Sequence, residues 1–238
     1  MPNIPEKPMS SINFIGGEKG GVGKSVTARI LAQYFLDTGK AFTGFDTDRS
    51  HNSFTRFYPD FASPVVVDSF EGLDVIAEAF ETNPEQNVIV DLAAQTAAPL
   101  ARWIHDSELF EVLGDLRVAI NFWHVIDEGK DSVNLLADLM ASVGTTPNYI
   151  IVLNHGRGSD FSLMQSSSAM LQALAFGARV IELPHLQDAS MRKIDRQSAS
   201  FWSAVHERSE TDSLGILERQ RVKTWLRKAY AGFDTLPL

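Results

Sequence analysis

Cysteine is absent from the 238-residue sequence, so disulfide bonds, cysteine zinc sites, iron–sulfur clusters and thiol catalysis are excluded. Long apolar runs are also absent, and none approaches the roughly 18 residues that a membrane-spanning helix needs. Residues 1–10 lack the apolar stretch of a signal peptide. We therefore expect a flexible N-terminal lead-in over 1–10, no stable membrane insertion and a cytoplasmic location.

Positive charge is scarce, because 21 lysines and arginines face 30 acidic residues and leave a net charge of −9. This balance disfavours a generally basic nucleic-acid binder, although a local basic face is compatible with it. The histidines show no metal-ligand spacing, so we interpret them as surface or hydrogen-bonded residues. The length and the 44% apolar content favour one compact domain over residues 11–238.

Short apolar runs alternate with longer amphipathic segments along the whole chain. Each run has strand length, and most are rich in Val, Ile or Phe. This alternation predicts an α/β fold with a doubly wound, mostly parallel sheet flanked by helices. Strands are predicted at Ile12–Ile15, Ala41–Phe45, Val65–Val67, Val88–Leu92, Val118–Phe122, Tyr149–Leu153 and Val180–Leu183. A first helix is predicted from Val26, with Gly39 following it as the C-terminal cap. Further helices are predicted over 70–81, 98–113, 129–142, 162–175, 188–205 and 214–230.

A glycine-rich loop between the first strand and the first helix is the strongest functional signal. It runs Gly-Glu-Lys-Gly-Gly-Val-Gly-Lys-Ser from Gly17 to Ser25. Glycines let backbone N–H groups converge on phosphate oxygens, and the helix N-terminus adds partial positive charge. In this phosphate loop, Lys24 supplies a charge for the β- and γ-phosphates, and the Ser25 hydroxyl is placed to ligate Mg²⁺. The predicted nucleotide contacts are Gly20, Gly21, Val22, Gly23, Lys24, Ser25 and Val26.

The loop departs from the usual phosphate-loop pattern in one respect. A glycine is expected where Glu18 stands, and a second lysine, Lys19, follows it. The Lys-Gly-Gly-Val-Gly-Lys-Ser run resembles the deviant Walker A motif of the ParA/MinD ATPases. In that family the first lysine reaches across a dimer interface to the partner's nucleotide. The resemblance therefore implies a catalytic role in trans for Lys19, while the Glu18 side chain is expected to point away from the phosphates.

Two aspartates follow the second predicted strand, in the order Phe45-Asp46-Thr47-Asp48. The ParA/MinD family has two aspartates at this spacing. The resemblance implies that Asp46 helps to hold the water shell of magnesium and that Asp48 orients the attacking water. The alternative is that the two acids simply cap the strand at the surface.

The strand at Val88–Leu92 carries an acid near its end. Asp91 stands where a Walker B carboxylate would polarise a magnesium-bound water. The alternative is an aspartate that only closes the strand.

Further along, Asn154 ends a buried strand and could pair with an adenine edge, although asparagine is also a common turn residue. By the same resemblance, Pro184 would wall the base pocket, but a proline that leaves a strand is ordinary.

The last predicted helix is basic within an acidic chain. Its cations face a single acid, Glu218, and are Arg219, Arg221, Lys223, Arg227 and Lys228. Its apolar residues share one face and are Val222, Trp225, Leu226 and Ala229. Three interpretations stay open: a solvated face of a packed helix, a nonspecific DNA-binding face, or a membrane-surface helix.

The resemblance implies an ATPase that uses ATP and Mg²⁺, hydrolyses ATP slowly to ADP and phosphate, and forms a homodimer on ATP binding. We expect a positioning or partition switch for DNA or cellular cargo, with a protein partner that stimulates hydrolysis. A MinD-like membrane-cycling ATPase is the first alternative. A metabolic ligase of the dethiobiotin-synthetase type is the second, but the sequence shows no motif for its small-molecule pocket.

Overall fold

The computed structural model describes residues 10–208 and 213–238. Apart from Ser10, the lead-in expected over 1–10 lies outside the described residues. In the described part of the chain, seven strands form one sheet in the order β3-β2-β4-β1-β5-β6-β7. The strands are β1 (Ser10–Gly16), β2 (Phe42–Asp46), β3 (Ala62–Pro64), β4 (Asn87–Asp91), β5 (Val118–Ile126), β6 (Asn148–Asn154) and β7 (Arg179–Leu183).

Every strand pairing in this sheet is parallel, and helices cover both faces. The predicted α/β doubly wound fold is therefore confirmed. The helices are α1 (Lys24–Asp37), α2 (Phe70–Thr82), α3 (Ala97–Asp106), α4 (Leu109–Asp115), α5 (Asp131–Val143), α6 (Ser162–Gln165), α7 (Ser168–Ala175), α8 (Asp188–Gln197), α9 (Phe201–His206) and α10 (Ile216–Phe233). Within residues 10–208 and 213–238, no helix is long and apolar enough to cross a membrane.

Two apolar layers sandwich the sheet, because successive strand residues point to opposite faces. Phe14 of β1 packs in the layer that contains α2 to α7. The next residue, Ile15, packs in the layer that contains α1 and α8 to α10. The predicted apolar face of α10 is confirmed, since Val222, Trp225, Leu226 and Ala229 are all buried there.

The third strand is not where the apolar run predicts it. β3 covers Ala62–Pro64 instead of Val65–Val67, and Ala62 is the Cα partner of Gly44 in β2. An edge strand is placed by hydrogen bonding to its one neighbour, so its apolar residues need not coincide with its paired residues. Only Val65 of the run is fully buried, and Val66 is exposed.

Three of the predicted helices each divide into two shorter ones. The helix predicted over 98–113 breaks at Glu108, which has a φ of 48°. The 162–175 helix restarts at Ser167, whose hydroxyl accepts a hydrogen bond from Met170 N at 3.1 Å. The 188–205 helix restarts at Ser200, whose hydroxyl accepts a hydrogen bond from Ser203 N at 3.1 Å. Serine side chains cap the new helix at the second and third of these breaks, which apolar periodicity alone does not reveal.

Candidate functional site

The phosphate loop lies between β1 and α1, and its backbone can be formed only by glycine at two points. Gly17 has a φ of 134°, and a Cβ there would lie 2.6 Å from the Val125 carbonyl oxygen. Gly23 has a φ of 107°, and a Cβ there would lie 2.2 Å from Asn154 Nδ2. Both conditions exclude other residues, so the loop shape depends on these glycines.

Lys24 begins α1 and folds back over the loop. Its Nζ donates hydrogen bonds to the carbonyl oxygens of Gly17 at 2.7 Å and Lys19 at 3.0 Å. Burial lowers the pKa of Lys24, while the nearby carboxylates of Asp91, Glu18 and Asp48 act in the opposite direction. The sequence thus places a largely buried ammonium group at the centre of the phosphate loop.

The carboxyl ends of β1, β2 and β4 meet beside this ammonium group. Asp46 and Asp91 are direct Cα partners across β2 and β4, and Ile15 is the partner of Asp91 in β1. Both carboxylate oxygens of Asp91 are buried and have no hydrogen-bond partner within the usual distance and angle limits. Burial raises the pKa of Asp91 to about 7; the charges of Asp46 and Asp48 also raise it, whereas Ser25 and Lys24 lower it.

These residues fit a magnesium ion. Two buried, unpartnered carboxylate oxygens on Asp91, close to the Ser25 hydroxyl, provide the oxygen donors that Mg²⁺ prefers. In the described ranges, no three His, Cys, Asp or Glu side chains form a group that could hold a metal alone. A magnesium ion at this site would therefore share its coordination with nucleotide phosphates, as Mg²⁺ commonly does.

Asp91→Asn should make the stability of the nucleotide-free protein less dependent on pH. The folded-state pKa of Asp91, near 7, exceeds the ordinary value of about 4. Between these two pH values the folded protein therefore keeps a proton on Asp91 that the unfolded chain has lost. This stabilisation is fully present below about pH 4 and is lost as the pH rises through about 7. We expect the free energy of unfolding of Asp91→Asn, relative to wild type, to rise by about 2–3 kcal/mol from about pH 5 to about pH 8.

Urea unfolding at the two pH values measures this difference. Asp115→Asn, which removes an exposed carboxylate at the end of α4, is the matched control and should follow the wild-type pH curve. If Asp91→Asn also runs parallel to wild type, Asp91 is already ionised in the nucleotide-free protein.

Asp46 and Asp48 are brought to the same edge of the sheet, but each carboxylate is engaged by local backbone. Asp46 Oδ2 accepts from Phe54 N at 2.8 Å and Thr55 N at 3.1 Å. Asp48 Oδ1 accepts from Ser50 N at 2.9 Å, and its Oδ2 lies 3.1 Å from His51 Nδ1. Burial alone would raise the pKa of Asp48, but its hydrogen bonds outweigh that effect and lower it.

Asn154 and Pro184 also make contacts within the chain. Asn154 Nδ2 donates to the Val22 carbonyl oxygen at 2.6 Å, and its Oδ1 accepts from Gly156 N at 3.0 Å. Asn154 therefore supports the phosphate loop from β6, a contact that the sequence did not reveal. The Pro184 carbonyl accepts from Trp225 Nε1 at 2.5 Å, which joins the predicted base-pocket wall to α10. The base contacts of Asn154 and Pro184 stay predictions.

Lys19 forms an ion pair within its own chain. Its Nζ lies 2.7 Å from Asp127 Oδ2, just beyond the end of β5. Asp127 Oδ1 also accepts hydrogen bonds from Gly129 N and the Ser132 hydroxyl, each at 3.0 Å. The hydrogen bond with Asp127 raises the pKa of Lys19, so Lys19 is charged at neutral pH.

The chain is similar to a known family of nucleotide-binding proteins. The model of the CobQ/CobB/MinD/ParA nucleotide-binding domain matches residues 14–198, which is more than half of the chain. The chain belongs to this family. It is accordingly a nucleotide-binding protein, and the predicted resemblance to the ParA/MinD family is confirmed.

Full-length relatives support this assignment. The chain is 24% identical to Protein TraL of Escherichia coli, over 95% of this chain and 98% of that protein. It is 23% identical to Protein MobD of Acidithiobacillus ferrooxidans, over 92% of this chain and 94% of that protein. The MinD cell division protein of Aquifex aeolicus has a similar structure, with a TM-score of 0.54 at 13% identity over 93% of this chain and 97% of that one. At this identity the structural likeness shows the fold alone.

Glu18 is the residue whose role the sequence left unassigned. Its Oε2 accepts a hydrogen bond from Gln95 N at 2.9 Å, and its Oε1 accepts one from Ala97 N at 3.0 Å. Gln95 and Ala97 belong to the segment that follows Asp91, which we call switch II and define as residues 92–97. The Glu18 side chain thus joins the phosphate loop to switch II.

Proposed function

We propose that the protein is a magnesium-dependent ATPase that acts as an ATP-driven dimerisation switch. The observation that carries the proposal is the position of Lys24 in the phosphate loop, beside a buried and unpartnered Asp91 carboxylate and the Ser25 hydroxyl. This combination provides a cation for the phosphates and oxygen donors for a metal at one point. The membership of the nucleotide-binding family is consistent with it.

Each residue has a distinct task in this proposal. Lys24 neutralises the β- and γ-phosphate charge, and the loop glycines direct backbone N–H groups toward the phosphate oxygens. Ser25, Asp91 and Asp46 would hold Mg²⁺, which supplies charge neutralisation on the phosphates. Asp48 is ionised and exposed enough to accept a hydrogen bond from water, as a water-orienting residue must.

Dimerisation would depend on Lys19. In the single chain the Lys19 ammonium is held by Asp127, so a contact with a partner's nucleotide requires that this ion pair opens. The side chains of Lys19 and Asp127 are 34% and 17% exposed, so the pair is partly buried. Exchange of the Asp127 carboxylate for a phosphate would replace one charge-assisted hydrogen bond of Lys19 by another. ATP would then favour the closed dimer, and slow hydrolysis would reverse it.

The proposal is tested by measuring mass and phosphate release together. With ATP and Mg²⁺ the protein should form dimers by light scattering and release phosphate slowly, whereas with ADP it should stay monomeric. Omission of Mg²⁺ should stop phosphate release. A protein that stays monomeric at saturating ATP while it releases phosphate would be an ATPase but not a dimerisation switch.

We propose duplex DNA, bound without sequence specificity, as the surface that the ATP-bound dimer contacts. The exposed basic side chains of α10 support this proposal: Arg221, Lys223, Arg227 and Lys228 face solvent, and Arg219 is half-buried. The opposite face of α10 packs on the core, so the helix is rigidly held with its cations outward. A dimer would present two such faces and so would neutralise more phosphates at once.

Replacing Arg219, Arg221, Lys223, Arg227 and Lys228 together by glutamine should abolish DNA binding and leave basal ATP hydrolysis intact. The Asp48→Ala variant should bind DNA best, because loss of the water-orienting carboxylate is expected to trap the ATP-bound dimer. Mobility shifts at low and moderate salt measure both effects, and affinity should fall steeply with salt. If the trapped dimer does not shift DNA at low salt but pellets with anionic liposomes, the surface is a membrane.

A further inference from the structure

Glu18 occupies a position in the phosphate loop where a glycine is expected, yet its side chain leaves the loop. Both carboxylate oxygens are used: Oε2 accepts from Gln95 N at 2.9 Å, and Oε1 accepts from Ala97 N at 3.0 Å. The contact spans 77 residues to Gln95 and 79 to Ala97, so it is a tertiary link between two loops and not a local turn.

Switch II lacks a local substitute for this carboxylate. Ala97 begins α3, and the preceding Thr96 makes no side-chain capping bond, because its hydroxyl donates to the Ala93 carbonyl oxygen at 2.8 Å. The first N–H groups of a helix need acceptors from outside it, and an anion there also interacts favourably with the helix dipole. Glu18 therefore caps α3 from another part of the chain.

The same contact holds a strained backbone. Gln95 has a φ of 66°, a left-handed conformation that is uncommon for a residue with a side chain and persists only where the surroundings fix it. Its N–H is one of the two groups that Glu18 binds. The carboxylate thus fixes the conformation of the residues that connect Asp91 to α3.

We propose that Glu18 is a positioning residue that holds switch II in the geometry needed for hydrolysis. The inference rests on the proposed ATPase function and adds a residue that the phosphate-loop motif does not contain. Glu18 does not touch the reacting atoms in this proposal. It acts through the backbone of Gln95 and Ala97, whose N–H groups its carboxylate binds. Because the carboxylate accepts from these N–H groups, its negative charge is directed away from the nucleotide phosphates.

Hydrogen exchange in the nucleotide-free protein tests the link without any catalytic assay. Glu18→Gln keeps one carbonyl acceptor and loses the other, whereas Glu18→Gly loses both. Exchange of the backbone amides in residues 95–97 should be at least about tenfold faster in Glu18→Gly, with Glu18→Gln between it and wild type. Glu81→Gln, which neutralises an exposed glutamate on α2, is the matched control and should exchange as wild type does.

Steady-state kinetics and calorimetry then test the positioning role. Glu18→Gly should lower kcat by at least about tenfold while ATP affinity stays equal or becomes tighter, because a negative charge near Lys24 has been removed. Glu18→Gln should restore part of kcat, since it restores one acceptor. A protein whose fold is merely weakened would lose affinity and kcat together.

The outcomes separate this inference from the proposed function. Unchanged exchange at residues 95–97 in Glu18→Gly overturns the link, and faster exchange with wild-type kcat overturns the positioning role. Equal losses of affinity and kcat overturn it as well and make Glu18 a part of the phosphate loop's own fold. If the wild-type protein hydrolyses no ATP, the proposed function fails, while the exchange experiment still shows whether Glu18 holds switch II.

Discussion

Lys24→Ala is expected to abolish ATP binding, with a loss of at least about tenfold in affinity measured by calorimetry. The Lys24 ammonium is largely buried and donates to the carbonyl oxygens of Gly17 and Lys19, so the loop is built around it. In the nucleotide complex it would exchange these carbonyls for phosphate oxygens, which are stronger acceptors because they are charged. Backbone N–H groups of the loop carry only partial charges and do not replace it.

Lys223→Ala is the matched control for this measurement. It removes a lysine side chain from an exposed position on α10, which lies outside the phosphate loop. ATP affinity should be unchanged in this variant. Circular dichroism of Lys24→Ala should show native helix content, and unchanged ATP affinity in a folded Lys24→Ala protein would contradict the phosphate-loop assignment.

Lys19→Ala is expected to leave ATP binding nearly intact and to weaken both ATP-dependent dimerisation and phosphate release. The reason is that Lys19 is proposed to act on the partner's nucleotide and not on its own. In the single chain its ammonium is directed toward Asp127 at 2.7 Å. Light scattering with a nonhydrolysable ATP analogue measures dimerisation, and calorimetry measures binding.

Asp127→Asn provides the opposite perturbation to Lys19→Ala. It removes the charge that holds Lys19 within its own chain but retains a side chain that can accept from Gly129 N and the Ser132 hydroxyl. If the ion pair competes with the contact in trans, this variant should dimerise at an equal or lower protein concentration than wild type. A Lys19→Ala protein that dimerises and hydrolyses ATP normally would show that the trans role is wrong.

The phosphate loop and the fold class follow from the sequence because both depend on neighbouring residues. The glycines at 17 and 23, Lys24 and Ser25 lie within nine residues, between one strand and one helix. Strand and helix periodicity is likewise a short-range property, and it predicted six strands at nearly their observed positions. The parallel pairing then brought Asp46 and Asp91 to one edge of the sheet, as the ends of their strands required.

Only the tertiary structure decided which groups form hydrogen bonds and ion pairs with the polar side chains of the site. Glu18 caps a helix 79 residues away, Asn154 supports Val22 from 132 residues away, and Lys19 is paired with Asp127. None of these partners has a sequence spacing that predicts it, because the contacts depend on how β4 and β5 are placed beside β1 and on how β6 is placed beside β5. The sequence by itself determined a phosphate-binding α/β domain. The packing of distant segments determined where its charged side chains are held, because hydrogen-bond partners are selected by distance in space and not along the chain.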